Sequence, residues 1–257
     1  MRCRPTSAFV LWGGKVLVER SISRVEQVFQ NINQFAQTGL EIGALDNPIA
    51  RREVGTVYYA DYCSTEQLRE NHRVTPTVNI DNIVQVDFVT NGGPISDVIP
   101  KDLRFDYVIA SHVIEHVPDI ISWLQDVGKV LKFGGVLSLI VPNKEKTFDI
   151  RRSISEQKDF FAAYVQKQTK PSPIQVFDSY RWHDRNGRIV HTLDYTLAKT
   201  REALTEYVDC HCWVFTPESF AKEIQALIDE KLIPYRLDVV TKTAEGEIDM
   251  FARLTKL

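Results

Sequence analysis

The feature that most constrains the fold of this chain is a series of short, continuous apolar runs separated by helical or loop segments. Strands with one face in water alternate apolar and polar residues, whereas strands covered on both faces are apolar throughout. The runs therefore predict five buried strands: Leu40–Gly43, Thr56–Ala60, Ile83–Val86, Phe105–Ala110 and Val136–Val141. The apolar spacing of Ile120–Leu131 predicts a helix between the last two strands, ended by Gly134-Gly135. Strands that alternate with helices in this way are typical of an α/β fold with a doubly wound, mostly parallel sheet.

The C-terminal part of the chain predicts a different arrangement. Thr216-Pro217-Glu218-Ser219 is expected to open a helix, because threonine caps helices well and proline is favoured at the first helical position. Tyr235–Thr243 and Glu247–Leu257 are extended segments joined by a turn at Glu245-Gly246, which predicts a hairpin. We therefore expect a sheet of seven strands that closes with an antiparallel C-terminal hairpin.

The N-terminal part predicts a hairpin and one long helix. Ala8–Val18 is apolar, but Gly13-Gly14-Lys15 interrupts it and no cleavage site follows, so we expect a short strand or hairpin rather than a secretion signal. Ser21–Gln37 carries one apolar face at helical spacing, and Ser21 or Ser23 can cap that helix.

One segment is too long for an ordinary connection between elements. Lys144–Trp213 is rich in aromatic residues and holds three of the six histidines. Ser155–Lys167 and Thr196–Val208 are predicted helices within it. We divide the chain into a sheet domain, residues 1–143 plus 214–257, and an inserted cap, residues 144–213.

Composition excludes several classes of protein. Hydrophobic residues make up 44% and charged residues 25%, which is typical of a soluble globular chain. A net charge of −3 does not favour a nucleic-acid partner. No apolar run is long enough to span a membrane. Four cysteines in 257 residues do not form a disulfide framework, and they indicate a reducing, cytoplasmic location. The oligomeric state is left open.

Polar residues follow the predicted strands at the edge where a ligand would bind. In an open parallel sheet, ligands lie beyond the carboxyl ends of the strands, at the switch in strand order. Glu41 and Gly43 end the first strand, Asp61 follows the second and Asp87 the third, and Ser111-His112 ends the fourth. Asp61 is placed to accept the hydroxyl groups of a ribose. Asp87 is placed to meet an adenine amino group.

The loop after the first strand argues against a dinucleotide. It begins with Glu41-Ile42-Gly43, but Leu45 and Asn47 stand where the G-x-G-x-x-G fingerprint has its later glycines. Close approach of a pyrophosphate needs glycine at those places. A cofactor without phosphates tolerates the larger side chains.

The chain resembles the class I S-adenosylmethionine-dependent methyltransferases over about Leu40–Asn143, and more loosely over Thr216–Leu257. The matching segments are Leu40-Glu41-Ile42-Gly43, Tyr59-Ala60-Asp61, Asp87, the stretch from Phe105 to Val117, and Leu131-Lys132-Phe133-Gly134-Gly135-Val136-Leu137. Asp46-Asn47-Pro48 and Val141-Pro142-Asn143-Lys144 with Thr147-Phe148-Asp149 resemble a bacterial subgroup linked to glycosyltransferases and polysaccharide synthesis.

The resemblance implies a Rossmann-like fold, S-adenosyl-L-methionine as the cofactor, and a set of cofactor-binding residues in the sheet domain. Glu41 would act on the methionine amino end through the loop or a water, Gly43 would pass beneath the cofactor, and Asp61 would hold the ribose. Asp87 and Phe88 would frame the adenine, and Ser111 and His112 would lie under the methionine and sulfonium. The whole set is Glu41, Gly43, Ala44, Asp61, Asp87, Phe88, Ser111 and His112.

The catalytic base is expected in the cap. His183, His191 and His211 are the candidates, with Asp184, Asp194 and Asp209 near them in sequence, because a histidine–carboxylate pair can accept a proton from a hydroxyl near neutral pH. Their spacing is irregular, so no metal is assigned. Glu115 and His116 are interpreted as packing residues of the helix after the fourth strand. Arg151 and Arg152 could clamp an acidic sugar or a phosphate group.

These features predict methyl transfer to a hydroxyl, in preference to an amine, of a small-molecule or sugar-containing acceptor. Two alternatives remain open from the sequence. One is a nucleotide-sugar or NAD-linked oxidoreductase, and the other is a non-catalytic member that binds cofactor, or nothing, and acts through a partner.

Overall fold

The computed structural model describes residues 10–12, 15–18 and 23–257. The described strands are β1 (Val10–Trp12), β2 (Lys15–Val18), β3 (Gly39–Ile42), β4 (Val57–Asp61), β5 (Phe88–Val89), β6 (Phe105–Ser111), β7 (Leu131–Pro142), β8 (Asp184–Arg185), β9 (Arg188–Ile189), β10 (Tyr235–Thr241) and β11 (Asp249–Lys256). The α-helices are α1 (Arg24–Val28), α2 (Thr65–Asn71), α3 (Ile120–Val130), α4 (Gln157–Gln166), α5 (Pro173–Arg181), α6 (Leu193–Glu202) and α7 (Pro217–Asp229).

The sheet confirms the predicted fold class. Its strand order is β1-β2-β10-β11-β7-β6-β3-β4-β5, and β8-β9 form a separate ribbon. The central seven strands are mostly parallel, and β11 runs antiparallel between β7 and β10. The order reverses between β3 and β6, which is where ligands of such sheets bind. The predicted N-terminal hairpin is also present, and β2 pairs with β10 at the edge of the sheet.

The core lies between the sheet and its helices. Helix α3 is capped by Asp119, whose carboxylate accepts a hydrogen bond from the Ser122 N–H at 3.0 Å, and it buries Leu124 and Val127 completely. Helix α7 begins as predicted, with Thr216 accepting from the Ser219 N–H and Pro217 in the first turn. Strand β6 is buried from Tyr107 to Ala110, as expected of a strand covered on both faces.

The helix predicted over Ser21–Gln37 is wrong in length. Helix α1 ends at Val28, and its N-cap is Ser23, while Ser21 lies outside the described residues. Side chains then compete with the helical backbone, because Asn33 accepts from the Phe35 N–H and Gln37 accepts from the Asn33 N–H. Phe35 is 84% exposed, so the predicted apolar face stops at Ile32, which still packs against the cluster around Val28 and Phe29.

Two strand boundaries also differ from the prediction. Ile83–Val86 is not a strand, because the Val84 N–H donates to the Leu45 carbonyl and the Val86 N–H donates to Thr65 Oγ1. The third parallel strand is β5, two residues further on. Helix α3 ends before Gly134-Gly135, since Leu131 already pairs with Phe105 as the first residue of β7.

The inserted segment 144–213 contains three α-helices and the β8-β9 ribbon. The two predicted helices are present as α4 and α6, and α6 begins earlier than predicted because Thr192 caps it. Helix α5 was not predicted. Phe160 of α4 is fully buried with its ring 5.0 Å from that of Trp213, so the segment shares the main apolar cluster of the sheet. Its separation as a cap domain stays a prediction. None of the described helices is long and apolar enough to cross a bilayer.

Candidate functional site

The loop after β3 is organised by a buried carboxylate. Glu41 is 2% exposed, and its carboxylate accepts hydrogen bonds from the N–H groups of Ile49 at 3.0 Å and Ala50 at 2.7 Å. Burial raises the pKa of Glu41 to about 7, and the two backbone hydrogen bonds offset only part of that effect. Glu41 therefore shapes the loop, and any influence on a bound ligand passes through the loop.

Gly43 permits a tight turn at the switch point. Its φ is +71°, and a Cβ at this position would lie 2.9 Å from Val113 Cγ2. Both the left-handed backbone and the close approach of Val113 therefore require glycine. Ala44 follows and is buried, and Leu45 has a φ of 48°. The loop thus runs beside the residues that follow β6.

The buried Glu41 gives a pH-dependent contribution to stability. Its pKa is raised in the folded state, so folding favours the protonated form. The contribution is greatest below the unfolded pKa of 4.5 and is lost as the pH rises towards 7. We expect Glu41→Gln to remove this loss of folding free energy. The loss is on the order of 3 kcal/mol, because the pKa rises from 4.5 to about 7 and one pKa unit corresponds to about 1.4 kcal/mol.

Urea unfolding of both proteins across this pH range measures the difference. Because all other titrating groups are shared, the wild-type curve minus the Glu41→Gln curve isolates Glu41. A difference that stays constant with pH would contradict the raised pKa.

Asp61 ends β4 at the predicted place. Its Oδ1 accepts a hydrogen bond from the Tyr62 N–H at 2.7 Å, and among the described residues no donor reaches Oδ2. Burial raises the pKa of Asp61 to about 6. The second oxygen is therefore available to a ligand at the carboxyl end of the sheet.

The predicted position of Asp87 at the end of the third strand is wrong. Asp87 precedes β5, and its Oδ2 accepts from the Tyr59 N–H at 2.8 Å and from Arg52. These contacts tie Asp87 to the middle of β4, because Tyr59 lies two residues before the end of that strand. The neighbouring Phe88 stacks on Tyr58 with centroids 5.6 Å apart. Thr90 and Asn91 are the residues that follow β5.

The end of β6 carries a charged cluster that sequence analysis missed in part. His112 has a φ of 54°, its Nε2 lies 3.0 Å from Asp249 Oδ1, and its Nδ1 lies 3.4 Å from Glu115 Oε1. Burial alone would lower the pKa of His112, but the carboxylates of Asp249 and Glu115 outweigh it and raise the pKa to about 9. Arg24 pairs with Asp249 and donates to Ser111 Oγ at 3.2 Å. Neither Arg24 nor Asp249 was recognised, because each is distant in sequence from the strand-end motifs.

Asp249 reaches this place through strand direction. It begins β11, which is antiparallel to β7, and it pairs with Pro142 at the carboxyl end of β7. The first residue of an antiparallel strand therefore lies at the same edge as the last residues of its parallel neighbours.

A cleft of about 310 Å³ brings the three candidate histidines together. The ring of His183 stacks on that of Phe148 with centroids 4.3 Å apart. The ring centroid of His211 lies 4.7 Å from that of the same Phe148. His191 packs between Tyr180 at 5.3 Å and Tyr195 at 5.0 Å. The cleft lining also includes His116, Ser179, Asp209 and Cys210.

The cleft is connected to the end of β6 through His211. Its ring meets that of His116 at 4.8 Å, and ligand atoms of His211, His116 and Glu115 lie within 4.8 Å of one another. Glu115 in turn lies beside His112. His211 is thus linked to the end of β6 by a chain of direct contacts through His116, Glu115 and His112.

The carboxylate partners of the histidines differ from those that sequence proximity suggested. His211 Nδ1 lies 2.5 Å from Asp149 Oδ2, and His116 Nδ1 lies 3.0 Å from Asp209 Oδ1. Asp184 instead pairs with Arg151. Asp149 belongs to a motif already noted in the sequence, but nothing in its local pattern indicates that it meets His211.

Arg152 does not form the expected clamp for an acidic ligand. It is 4% exposed, and it donates to Asp149 Oδ1 at 2.8 Å and Asp178 Oδ2 at 2.7 Å. Arg151 pairs with Asp184 and donates to the Gly187 carbonyl. Both guanidinium groups are thus engaged within the protein.

Comparison with known proteins identifies a family. A family model described as a methyltransferase domain matches residues 22–227. No curated protein matches the chain in sequence. A protein named as a Zn-dependent alcohol dehydrogenase from Rhodobacter sphaeroides is similar in structure, with a TM-score of 0.51 and 14% identity over 93% of this chain and 91% of that chain. At this identity the likeness concerns the fold alone.

Two solved methyltransferases are also similar in structure. The CcbJ methyltransferase from Streptomyces caelestis matches at 18% identity and a TM-score of 0.35, and the match covers 51% of this chain and about half, 52%, of that chain. The magnesium protoporphyrin IX methyltransferase from Synechocystis PCC 6803, solved with S-adenosylhomocysteine bound, matches at 11% identity and a TM-score of 0.43 over 91% of this chain and 80% of that chain.

Proposed function

Because this chain belongs to the methyltransferase domain family, we propose that it methylates a hydroxyl group of a small-molecule or sugar-containing acceptor bound in the histidine cleft. Methyl transfer is the activity for which the family is named. The methyl donor in this proposal is S-adenosylmethionine, as the matching strand-end motifs imply. The observation that carries the acceptor assignment is the cleft itself, which is walled by aromatic and imidazole rings and adjoins the residues after β6.

The cofactor is proposed to lie across the carboxyl ends of β3, β4 and β6. Gly43 and Ala44 would pass beneath it, and Asp61 would accept a ribose hydroxyl at its free oxygen. Ser111 and His112 would lie under the methionine and sulfonium. Glu41 supports this site through the Ile49 and Ala50 amides. Asp87 and Phe88 would frame the adenine, with Asp87 held in place through Oδ2 by Arg52 and the Tyr59 amide.

The cleft geometry supports His183 as the base. Burial lowers the pKa of His183, and the neighbouring His191 and Arg185 add to this effect, so the imidazole is neutral near pH 7. Its Nε2 is buried, and no hydrogen-bond partner for it exists in the described part of the chain. His191 would form part of the acceptor wall. His211 is held by Asp149 and is less free to turn towards an acceptor.

The reaction is a single displacement. Held by Asp61, Ser111 and His112, the cofactor would supply an activated methyl group, and the acceptor oxygen would bond to the methyl carbon as the C–S bond breaks and S-adenosylhomocysteine leaves. The proton of the acceptor hydroxyl passes to His183 Nε2. The sulfonium is already activated, so alignment supplies much of the rate, up to roughly 7–11 kcal/mol at best.

Asp61→Ala is expected to weaken binding of S-adenosylhomocysteine by about 1–3 kcal/mol, the cost of losing a hydrogen bond to a charged group and leaving its partner unpaired. Calorimetric titration measures this change. Glu70→Ala on the exposed surface of α2 is the matched control and should bind like the wild type. Unchanged affinity of the Asp61 variant would contradict the ribose assignment.

Titration with S-adenosylmethionine, S-adenosylhomocysteine and NAD separates the alternatives. Leu45 and Asn47 replace the glycines that a pyrophosphate needs, so NAD should bind far more weakly than S-adenosylhomocysteine. Comparable affinities would favour the oxidoreductase. The protein is then incubated with S-adenosylmethionine and acceptors that include nucleotide sugars and saccharides. Tight cofactor binding with no formation of S-adenosylhomocysteine would favour the non-catalytic alternative. The resemblance of residues 46–48 and 141–149 to the polysaccharide-linked subgroup is the reason to include saccharides.

A further inference from the structure

Three side chains with metal-ligating atoms meet where the cleft adjoins the end of β6. They are Glu115, His116 and His211, and one potential ligand atom from each lies within 4.8 Å of the others. Ligands bound to one ion at about 2.0–2.2 Å are separated by distances that such a cluster reaches with small side-chain rotations.

Glu115 shows the clearest sign of a missing cation. Its side chain is 0% exposed, and among the described residues neither carboxylate oxygen has a hydrogen-bond partner of good geometry. His112 Nδ1 lies 3.4 Å from Oε1, a long contact in a ring whose Nε2 also lies beside Asp249, and within the described structure no donor approaches Oε2. An ionised carboxylate taken out of water costs several kcal/mol unless its oxygens are paired. A cation bound at Glu115 would pair Oε2.

The two imidazoles are held as metal-binding histidines usually are. His116 Nδ1 contacts Asp209, and His211 Nδ1 contacts Asp149, which is itself anchored by Arg152. A histidine that ligates a metal almost always donates its other ring N–H to a carboxylate or carbonyl, and this fixes its tautomer. In each ring the Nε2 lone pair therefore remains for a metal ion.

We propose that Glu115, His116 and His211 bind a divalent transition-metal ion. Two imidazole nitrogens and one carboxylate oxygen suit Zn²⁺, Mn²⁺, Fe²⁺ or Co²⁺, whereas Mg²⁺ and Ca²⁺ prefer oxygen ligands throughout. Spacing along the chain does not indicate this site, because Glu115 and His116 lie far from His211.

The site would act on the acceptor through its open coordination positions. Three protein ligands leave at least one position free, and His116 and His211 also line the cleft. A hydroxyl oxygen bound there would be oriented and made more acidic. This last step rests on the proposed function, whereas metal binding does not.

Cobalt binding to the purified full chain tests the site. The protein is first freed of metal with a chelator and then titrated with Co²⁺, followed by calorimetry and by the visible bands of bound Co²⁺. We expect one ion per chain, competed by Zn²⁺. Glu115→Gln and His116→Ala should abolish binding or weaken it by more than about 100-fold, and Asp149→Asn should weaken it by about 10–100-fold, as for other outer partners of ligating histidines.

A control variant and a check of folding separate loss of the metal site from loss of the fold. His191→Ala alters the same cleft outside the trio and should bind Co²⁺ like the wild type. If Glu115→Gln fails to fold by circular dichroism, His116→Ala decides, because that side chain is only partly buried. Absence of stoichiometric binding to the wild type would overturn the site. Undiminished Co²⁺ binding by His116→Ala would also overturn it. Loss of Co²⁺ binding in Cys210→Ser, with binding by Glu115→Gln unchanged, would do the same.

The result is separable from the proposed function. Stoichiometric Co²⁺ binding without formation of S-adenosylhomocysteine would support the metal site and contradict the hydroxyl methylation. Methyl transfer by a chain that binds no Co²⁺ would support the function and overturn the metal site.

Discussion

Replacing His183 by alanine is expected to lower kcat by about 10²–10⁴-fold, the usual contribution of a general base, while the affinity for S-adenosylhomocysteine stays unchanged. The reason is local. The His183 imidazole lines the cleft, stacks on Phe148 and keeps an unpartnered Nε2 within the described structure, so it can accept the acceptor proton. Within the described residues its ring contacts are with Phe148 and His191, not with the loop after β3 or Asp61. Rates of S-adenosylhomocysteine formation and calorimetric affinities measure the two quantities separately.

A variant in the same ribbon controls for disturbance of the segment. Arg188 is exposed on β9, opposite β8 and close to His183 in the chain, and Arg188→Ala should retain the wild-type kcat. If both variants lost activity equally, the effect would come from the ribbon and the assignment of His183 as the base would be wrong. If His183→Ala lost cofactor affinity as well, the residue would belong to the cofactor site instead.

Replacing Arg152 by methionine is expected to lower the free energy of unfolding by about 3–5 kcal/mol, since removal of one partner strands the buried charges of the others. Its side chain is 2% exposed and bridges Asp149, which is 1% exposed, and Asp178, which is 36% exposed, so the buried charge left unpaired is that of Asp149. Methionine keeps much of the volume, so the loss reports the charge. Urea unfolding followed by circular dichroism measures it.

Arg151→Met is the matched control. The Arg151 side chain is 43% exposed and pairs with Asp184, and ion pairs in contact with water contribute only about 0–1 kcal/mol. The two variants have the same chemical change in neighbouring positions. Equal destabilisation of both would show that the buried network around Asp149 has no special weight, and the anchoring of His211 through Asp149 would then lack its support.

The pattern of apolar runs predicted the parallel core well for identifiable reasons. Strands β3, β4, β6 and β7 are buried on both faces, and burial on both faces is what a continuous apolar run reports. The caps of α1 at Ser23 and of α7 at Thr216 were also predicted, because capping depends on residues three positions apart.

The wrong strand and the wrong helix length come from contacts that local sequence patterns do not show. Val84 and Val86 look like strand residues, but their N–H groups bond to Leu45 and Thr65, which sequence spacing does not reveal. Beyond the end of the first helix, Asn33 and Gln37 form side-chain hydrogen bonds to the backbone that an apolar periodicity does not register. Both errors come from polar contacts that compete with regular backbone pairing.

The sequence by itself determined the class of fold and the edge of the sheet at which the candidate site residues lie, because both follow from local patterns. The carboxyl ends of parallel strands meet at one edge whatever the rest of the chain does, so Gly43, Asp61 and His112 could be placed together in advance. Only the tertiary structure decided which groups face them. Arg24, Asp249, Asp149 and His211 come from the first helix, an antiparallel strand and the inserted segment. Their contacts depend on packing between elements far apart in the chain, and charge pairing of that kind leaves no periodic trace in a sequence.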